Sequence, residues 1–297
     1  MRFWKVVGKL SLANVLNFAF AMMVAMPLMV IAGIYIAATS GGVGDPLAFV
    51  EQLESYKGLN TIVNTLGSAS AIGAALLMYA AFEKKAGWPL GLRQLGAFRK
   101  LAQGLGLGIL LISVGFLIIL GLGGVRITGT AFDSAVVQGL LLDLILFITV
   151  GFSEEIFSRG YTYGLVRHHY GAVWATVVSS VLFALLHSMN PAVWDSAFPM
   201  LNLFLAGVLL ALLREWSGGL WVPIGMHITW NFFQGDVYGM AVSGTETSSI
   251  VRLEQWNAFV SGGAFGLEGS FADTLVSLAA IGVLVLVLRR RKARAAG

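Results

Sequence analysis

Between Asp143 and Asn231 the chain sets acids, imidazoles and an amide into segments otherwise apolar enough to sit in lipid: Glu154-Glu155-x-x-x-Arg159, Phe183-x-x-x-His187 and His227-x-x-x-Asn231. An ionised group at bilayer depth is costly, so several of them on consecutive apolar segments read as a functional site. A buried carboxylate beside an imidazole can hold a water molecule and take its proton, which is the chemistry of hydrolysis.

The spacing sorts these residues. On a helix, positions four apart share a face, and an acid N-terminal to a base is the favourable order, so Glu155 and Arg159 are expected to form a structural ion pair. Glu154 then points about 100° away, free for other work, with Asp143 three turns back on nearly its face. His187 follows Phe183 by one turn, so the ring can wall the imidazole, and Asn190-Pro191 ends or kinks that helix. His227 and Asn231 again share one face. Taken singly, the motifs also fit a charged helix end, a satisfied core histidine and an interhelical hydrogen-bond pair. Together they say more: Glu154 and His187 flank a turn expected at His168-His169-Tyr170-Gly171, almost midway between them, so a helical hairpin brings them to the same height.

The elements that must position them are membrane spans. The 297 residues are 57% hydrophobic and 11% charged, with mean hydropathy +0.82, against about 25% charged in a soluble domain. Apolar runs near 12–38, 60–82, 103–123, 135–158, 172–189, 199–214, 219–238 and 271–288 are mostly close to the roughly 20 residues that cross a bilayer core. The first run exceeds the core of a cleavable signal. The expected fold is therefore all-α: one integral-membrane domain over 1–297, a bundle of about eight transmembrane helices.

With the amino terminus inside, sixteen of the 19 Lys and Arg fall on inner segments, and only Lys57, Arg126 and Arg252 fall outside. That bias places both termini in the cytoplasm of a multi-pass plasma-membrane protein. The 83–100 segment, with Trp88-Pro89 and spaced basic residues, reads as an inner loop lying partly on the membrane surface. The Gly-, Ser- and Thr-rich 239–270 loop is expected outside and mobile. The net charge of +4 comes from basic residues that flank spans, so no nucleic-acid partner is implied. Absence of cysteine excludes disulfides, thiolate metal sites and a cysteine nucleophile.

The order and form of the three motifs resemble the CAAX prenyl protease type II and bacteriocin-processing family of intramembrane proteases (the CPBP, or Abi, family), over about residues 135–235. The resemblance implies an intramembrane peptidase in which Glu154 with His187 activates the attacking water, Glu155 and Arg159 support the site, and His227 and Asn231 stabilise the oxyanion. Its partners would be membrane lipid and a peptide or protein substrate, prenylated or leader-type. No cofactor is the preferred expectation. Family names include "metalloprotease", and a zinc ion on Glu154, His187 and His227 is the alternative, since one carboxylate and two histidines leave an open position. Two further readings stand beside the protease: a non-catalytic scaffold or immunity protein of the same fold, and a proton-coupled transporter, which would be expected to carry an internal symmetry not seen here.

Overall fold

In a computed structural model of the chain, residues 3–40 and 57–296 are described. Helix α1 spans Phe3–Ser40, and α2, Lys57–Met78, runs on through a wide π turn at Tyr79–Glu83. Helix α3 is Ala97–Gly121. Helix α4, Ser134–Glu154, opens on Asp133, whose carboxylate accepts from the Ala135 and Val136 amides at 3.0 and 2.9 Å, filling donors that a helix start leaves orphaned. It continues through a π segment, Glu155–Thr162, into α5, Tyr163–Leu186. Gly171, at φ 85° and ψ 174°, breaks α5 where the hairpin tip is expected. Helix α6, Phe198–Ser217, stops at Gly218 in the left-handed region. A short turn leads to α7, Trp221–Phe232, with Pro223 in its first turn and a π segment, Phe233–Val237, at its end. A single turn α8, Ala258–Ser261, precedes α9, Phe271–Ala296.

Among the described residues, six helical stretches are long and apolar enough to cross a membrane. One of them, Ser134–Leu186, contains the break at Gly171 and so holds two of the expected runs. The 219–238 run becomes α7, which at 12 residues plus its π segment is not among the six.

The all-α expectation needs one correction. Strands β1, Val125–Thr130, and β2, Val251–Gln255, pair antiparallel at the end of the bundle where α3 finishes and α4 begins, with an irregularity between Ile127 and Gly129. Each strand is short and its partner is over a hundred residues away, so local sequence carries no sign of the pairing.

The 239–270 segment is tied down rather than loose. The Ser243 amide donates to Glu268 at 2.7 Å, Asn202 of α6 donates to the Glu268 and Ser270 carbonyls at 2.8 Å each, and the Ser248 amide donates to Asp143 of α4 at 3.0 Å. Its small residues permit close approach: Gly244, at φ 84°, lies against the Pro191 carbonyl. The 83–100 segment divides. Trp88 and Leu90 are buried, with Tyr79 donating to the Trp88 carbonyl at 2.6 Å, while Leu95 and Phe98 stand exposed beside Arg93 and Arg99.

Helix α7 is gripped from both sides. On α3, a methyl group at Gly104 would strike the Val222 carbonyl and one at Gly108 would strike Thr229; on α4, one at Gly151 would strike Ile228. Thr229 also donates to the Leu105 carbonyl at 2.8 Å. Without a hydrophobic drive between helices in lipid, such small-residue contacts are a main source of association. They hold the helix that carries His227 and Asn231 at a fixed height.

Candidate active site

The π segment at Glu155–Thr162 widens the helix just after Glu154 and buries all eight of its residues. Such segments recur at functional sites. Glu155 and Arg159 are fully buried, with Arg159 Nη1 donating to Glu155 Oε1 at 2.9 Å, as their spacing predicts. The Arg159 guanidinium also lies 4.1 Å from the centre of the Phe183 ring, a favourable cation–π geometry in a desolvated place. Phe183 packs its ring 4.8 Å from the His187 imidazole and 6.2 Å from that of His227.

Glu154 faces the other way, into a cavity of about 550 Å³ that is also lined by His187, His227, Asn231 and Asp143. Glu154 Oε2 is 3.8 Å from His187 Nε2 and 3.9 Å from His227 Nε2, and it accepts no hydrogen bond from the described residues. The chain thus brings together side chains separated by up to 88 positions in the sequence. Separations near 4 Å are too long for direct hydrogen bonds and suit a bridging water.

The outer nitrogens fix the tautomers. His187 Nδ1 is 2.9 Å from the Phe183 carbonyl, an acceptor only, and His227 Nδ1 is 3.0 Å from the Glu155 carboxylate. Each Nδ1 therefore carries the hydrogen and each Nε2 faces Glu154. The second of these contacts is absent from the sequence reading, which gave Glu155 only to Arg159. Glu155 Oε1 serves both. Nothing local signals a bond between residues 72 apart. The Gly104-x-x-x-Gly108 spacing is the local sequence signature of the α3–α7 contact.

Asn231 is 6% exposed and lines the cavity, and its amide has no hydrogen-bond partner among the described residues. Asp143 lines the same cavity, as its place on the Glu154 face predicts. The Arg167–Glu215 pair at 2.8 Å, with Tyr163 also donating to Glu215 at 2.8 Å, straps the hairpin to the end of α6.

Zinc ligands on bonds of about 2.1 Å stand about 3.4 Å apart in a tetrahedral site. The Glu154–His187 and Glu154–His227 separations exceed that, and among the described residues no group of three His, Asp or Glu side chains is placed to hold a metal ion. The zinc set of Glu154, His187 and His227 does not fit this arrangement.

The fold and site together define a helical, multi-pass membrane protein with a polar chamber buried among its helices. Residues 134–233 match the family described as type II CAAX prenyl endopeptidase, Rce1-like. The matched stretch coincides with the one that carries the three motifs. An uncharacterized 24.3 kDa protein of Escherichia coli is 29% identical over 98 residues, which are 32% of this chain. The alignment spans 43% of that relative's length.

Proposed function

We propose that this protein is an intramembrane endopeptidase, a single membrane domain of eight spans with both termini in the cytoplasm, acting at the plasma membrane on a membrane-associated, prenylated or leader-type peptide. The observation that carries the reading is Glu154 Oε2, without a hydrogen-bond partner among the described residues and almost equidistant from two imidazole Nε2 atoms inside a chamber of about 550 Å³. A water between Glu154 and His187 donates one hydrogen to each, leaving an oxygen lone pair aimed at the substrate carbonyl. Its oxygen bonds to the carbonyl carbon, one proton passes to Glu154 and the carbonyl oxygen takes the negative charge. Collapse breaks the C–N bond, and Glu154 returns the proton to the departing amine.

His227 with Asn231 meets the oxyanion. With Nδ1–H held by Glu155, His227 donates to the oxyanion from Nε2 as the imidazolium. Asn231 supplies a second donor from an amide that no described residue engages. Arg159 lies against Glu155 and compensates its charge.

The test compares the proteomes of membranes carrying the intact protein with those carrying Glu154→Gln at equal levels. A peptide bond cut only by the former is expected. No difference, with both proteins folded, favours the scaffold or transporter readings instead.

A further inference from the structure

The chamber has a consistent electrical character. Its lining contains four carboxylates, Asp143, Glu154, Glu246 and Glu268, against the single imidazolium that His227 supplies in the reaction above, and among the described residues it contains no Lys or Arg. Arg159 lies behind the wall, committed to Glu155. The lining residues that are themselves exposed, Asn64, Thr245 and Glu246, mark the mouth, between α2 and the 239–270 segment. From there a polar stripe, Thr61, Asn64 and Ser68, follows one face of α2 along the chamber. The end of the molecule that holds the mouth also carries Asp133, Asp195 and Glu254, against Lys57, Arg126 and Arg252, whereas the basic clusters lie at the opposite end.

Carboxylates lining one chamber, with no Lys or Arg among them, give it a negative potential that attracts an entering cation. The chamber is also built to receive a ligand on grounds other than charge: the Asn231 amide, 6% exposed, lines it without a hydrogen-bond partner among the described residues. A peptide group offers both the donor and the acceptor that an amide side chain needs.

From these observations, and resting on the protease reading above, we propose that the chamber selects a peptide segment bearing a positive charge, received at the mouth beside Glu246. Its Lys or Arg would sit on the mouth side of the scissile bond. Asp143 and Glu154 are about 16 Å apart along α4 at 1.5 Å per residue, which an extended peptide at about 3.3 Å per residue covers in about five residues. A free carboxylate or an acidic side chain in that interval would be disfavoured.

The test uses three fluorescein-labelled apolar peptides, identical except for a Lys-Lys, Gln-Gln or Glu-Glu pair, and protein in phosphatidylcholine nanodiscs, whose lipid has no net charge. Binding is read by anisotropy on Glu154→Gln, and cleavage by mass spectrometry on the intact protein. The Lys-Lys peptide is expected to bind at least about tenfold more tightly than the Glu-Glu peptide, with the gap narrowing in salt. Glu246→Lys, at an exposed position, is expected to close most of that gap without unfolding the protein. Equal binding of all three peptides, tighter binding of Glu-Glu, or a gap untouched by Glu246→Lys overturns the proposal. Cleavage without charge preference would overturn it and leave the protease reading standing. A charge preference in binding with no cleavage by the intact protein would support it and count against the protease reading.

Discussion

Glu155 Oε1 accepts a hydrogen bond from His227 Nδ1 at 3.0 Å while also receiving Arg159 Nη1 at 2.9 Å. One buried carboxylate therefore joins the π segment after α4 to the middle of α7. The pair of adjacent glutamates divides its labour by direction: Glu154 faces the chamber and Glu155 faces the protein.

That division predicts different outcomes for the two isosteric changes. Glu155→Gln leaves Arg159 as an uncompensated buried charge and is expected to lower stability by about 3–5 kcal/mol. It also removes the anionic partner of His227. Adding Arg159→Met should restore much of the melting temperature without restoring turnover, because the imidazole remains unsupported. Thermal unfolding and cleavage assays on the single and double variants check this; recovery of both properties together would show that Glu155 acts on stability alone.

Asn231→Ala is expected to slow turnover by about 10²–10³, as for loss of one oxyanion donor, with little change in melting temperature. Its amide makes no bond to the described residues that the fold would lose. A rise in KM alone, with kcat unchanged, would assign Asn231 to ground-state binding instead. Elemental analysis and chelation of the same preparations are expected to show no metal dependence. One zinc per chain that departs with His187→Ala would reverse that expectation.

The α3–α7 contact predicts a site lesion at a distance. Gly108→Val places side-chain atoms where Thr229 and the Met226 carbonyl now lie, so α3 and α7 must separate and His227 must shift from Glu154. A loss of activity and of melting temperature is expected. Gly106→Ala, whose methyl group meets nothing within 4 Å, is the control and should be neutral. Equal behaviour of the two variants would remove the contact from the account of the site.

Topology is open to direct labelling, because the chain has no cysteine of its own. Single cysteines near Arg290 and Lys85 are expected to stay unlabelled by an impermeant reagent in sealed cells, and one at Glu246 is expected to label. Labelling at Arg290 from outside would overturn the eight-span orientation and place the chamber mouth on the cytoplasmic side.

The sequence by itself determined the membrane class and the helical rods, because hydropathy and span length are local properties. It determined the Glu155–Arg159 pair and the Phe183–His187 stack too, since both are one-turn relationships on a single helix. The meeting of Glu154 with His187 was within reach because one turn, at Gly171, relates their two helices. Other features depended on how separate segments dock: the bond from Glu155 to His227, the β1–β2 ribbon, and the 239–270 segment pinned over the chamber by Glu268 and Asp143. Each joins residues far apart in the chain through contacts that no local period or propensity encodes. Only the tertiary structure, set by glycine-mediated close packing of α7 between α3 and α4, decided which face of Glu155 met an imidazole and which carboxylates shared the chamber.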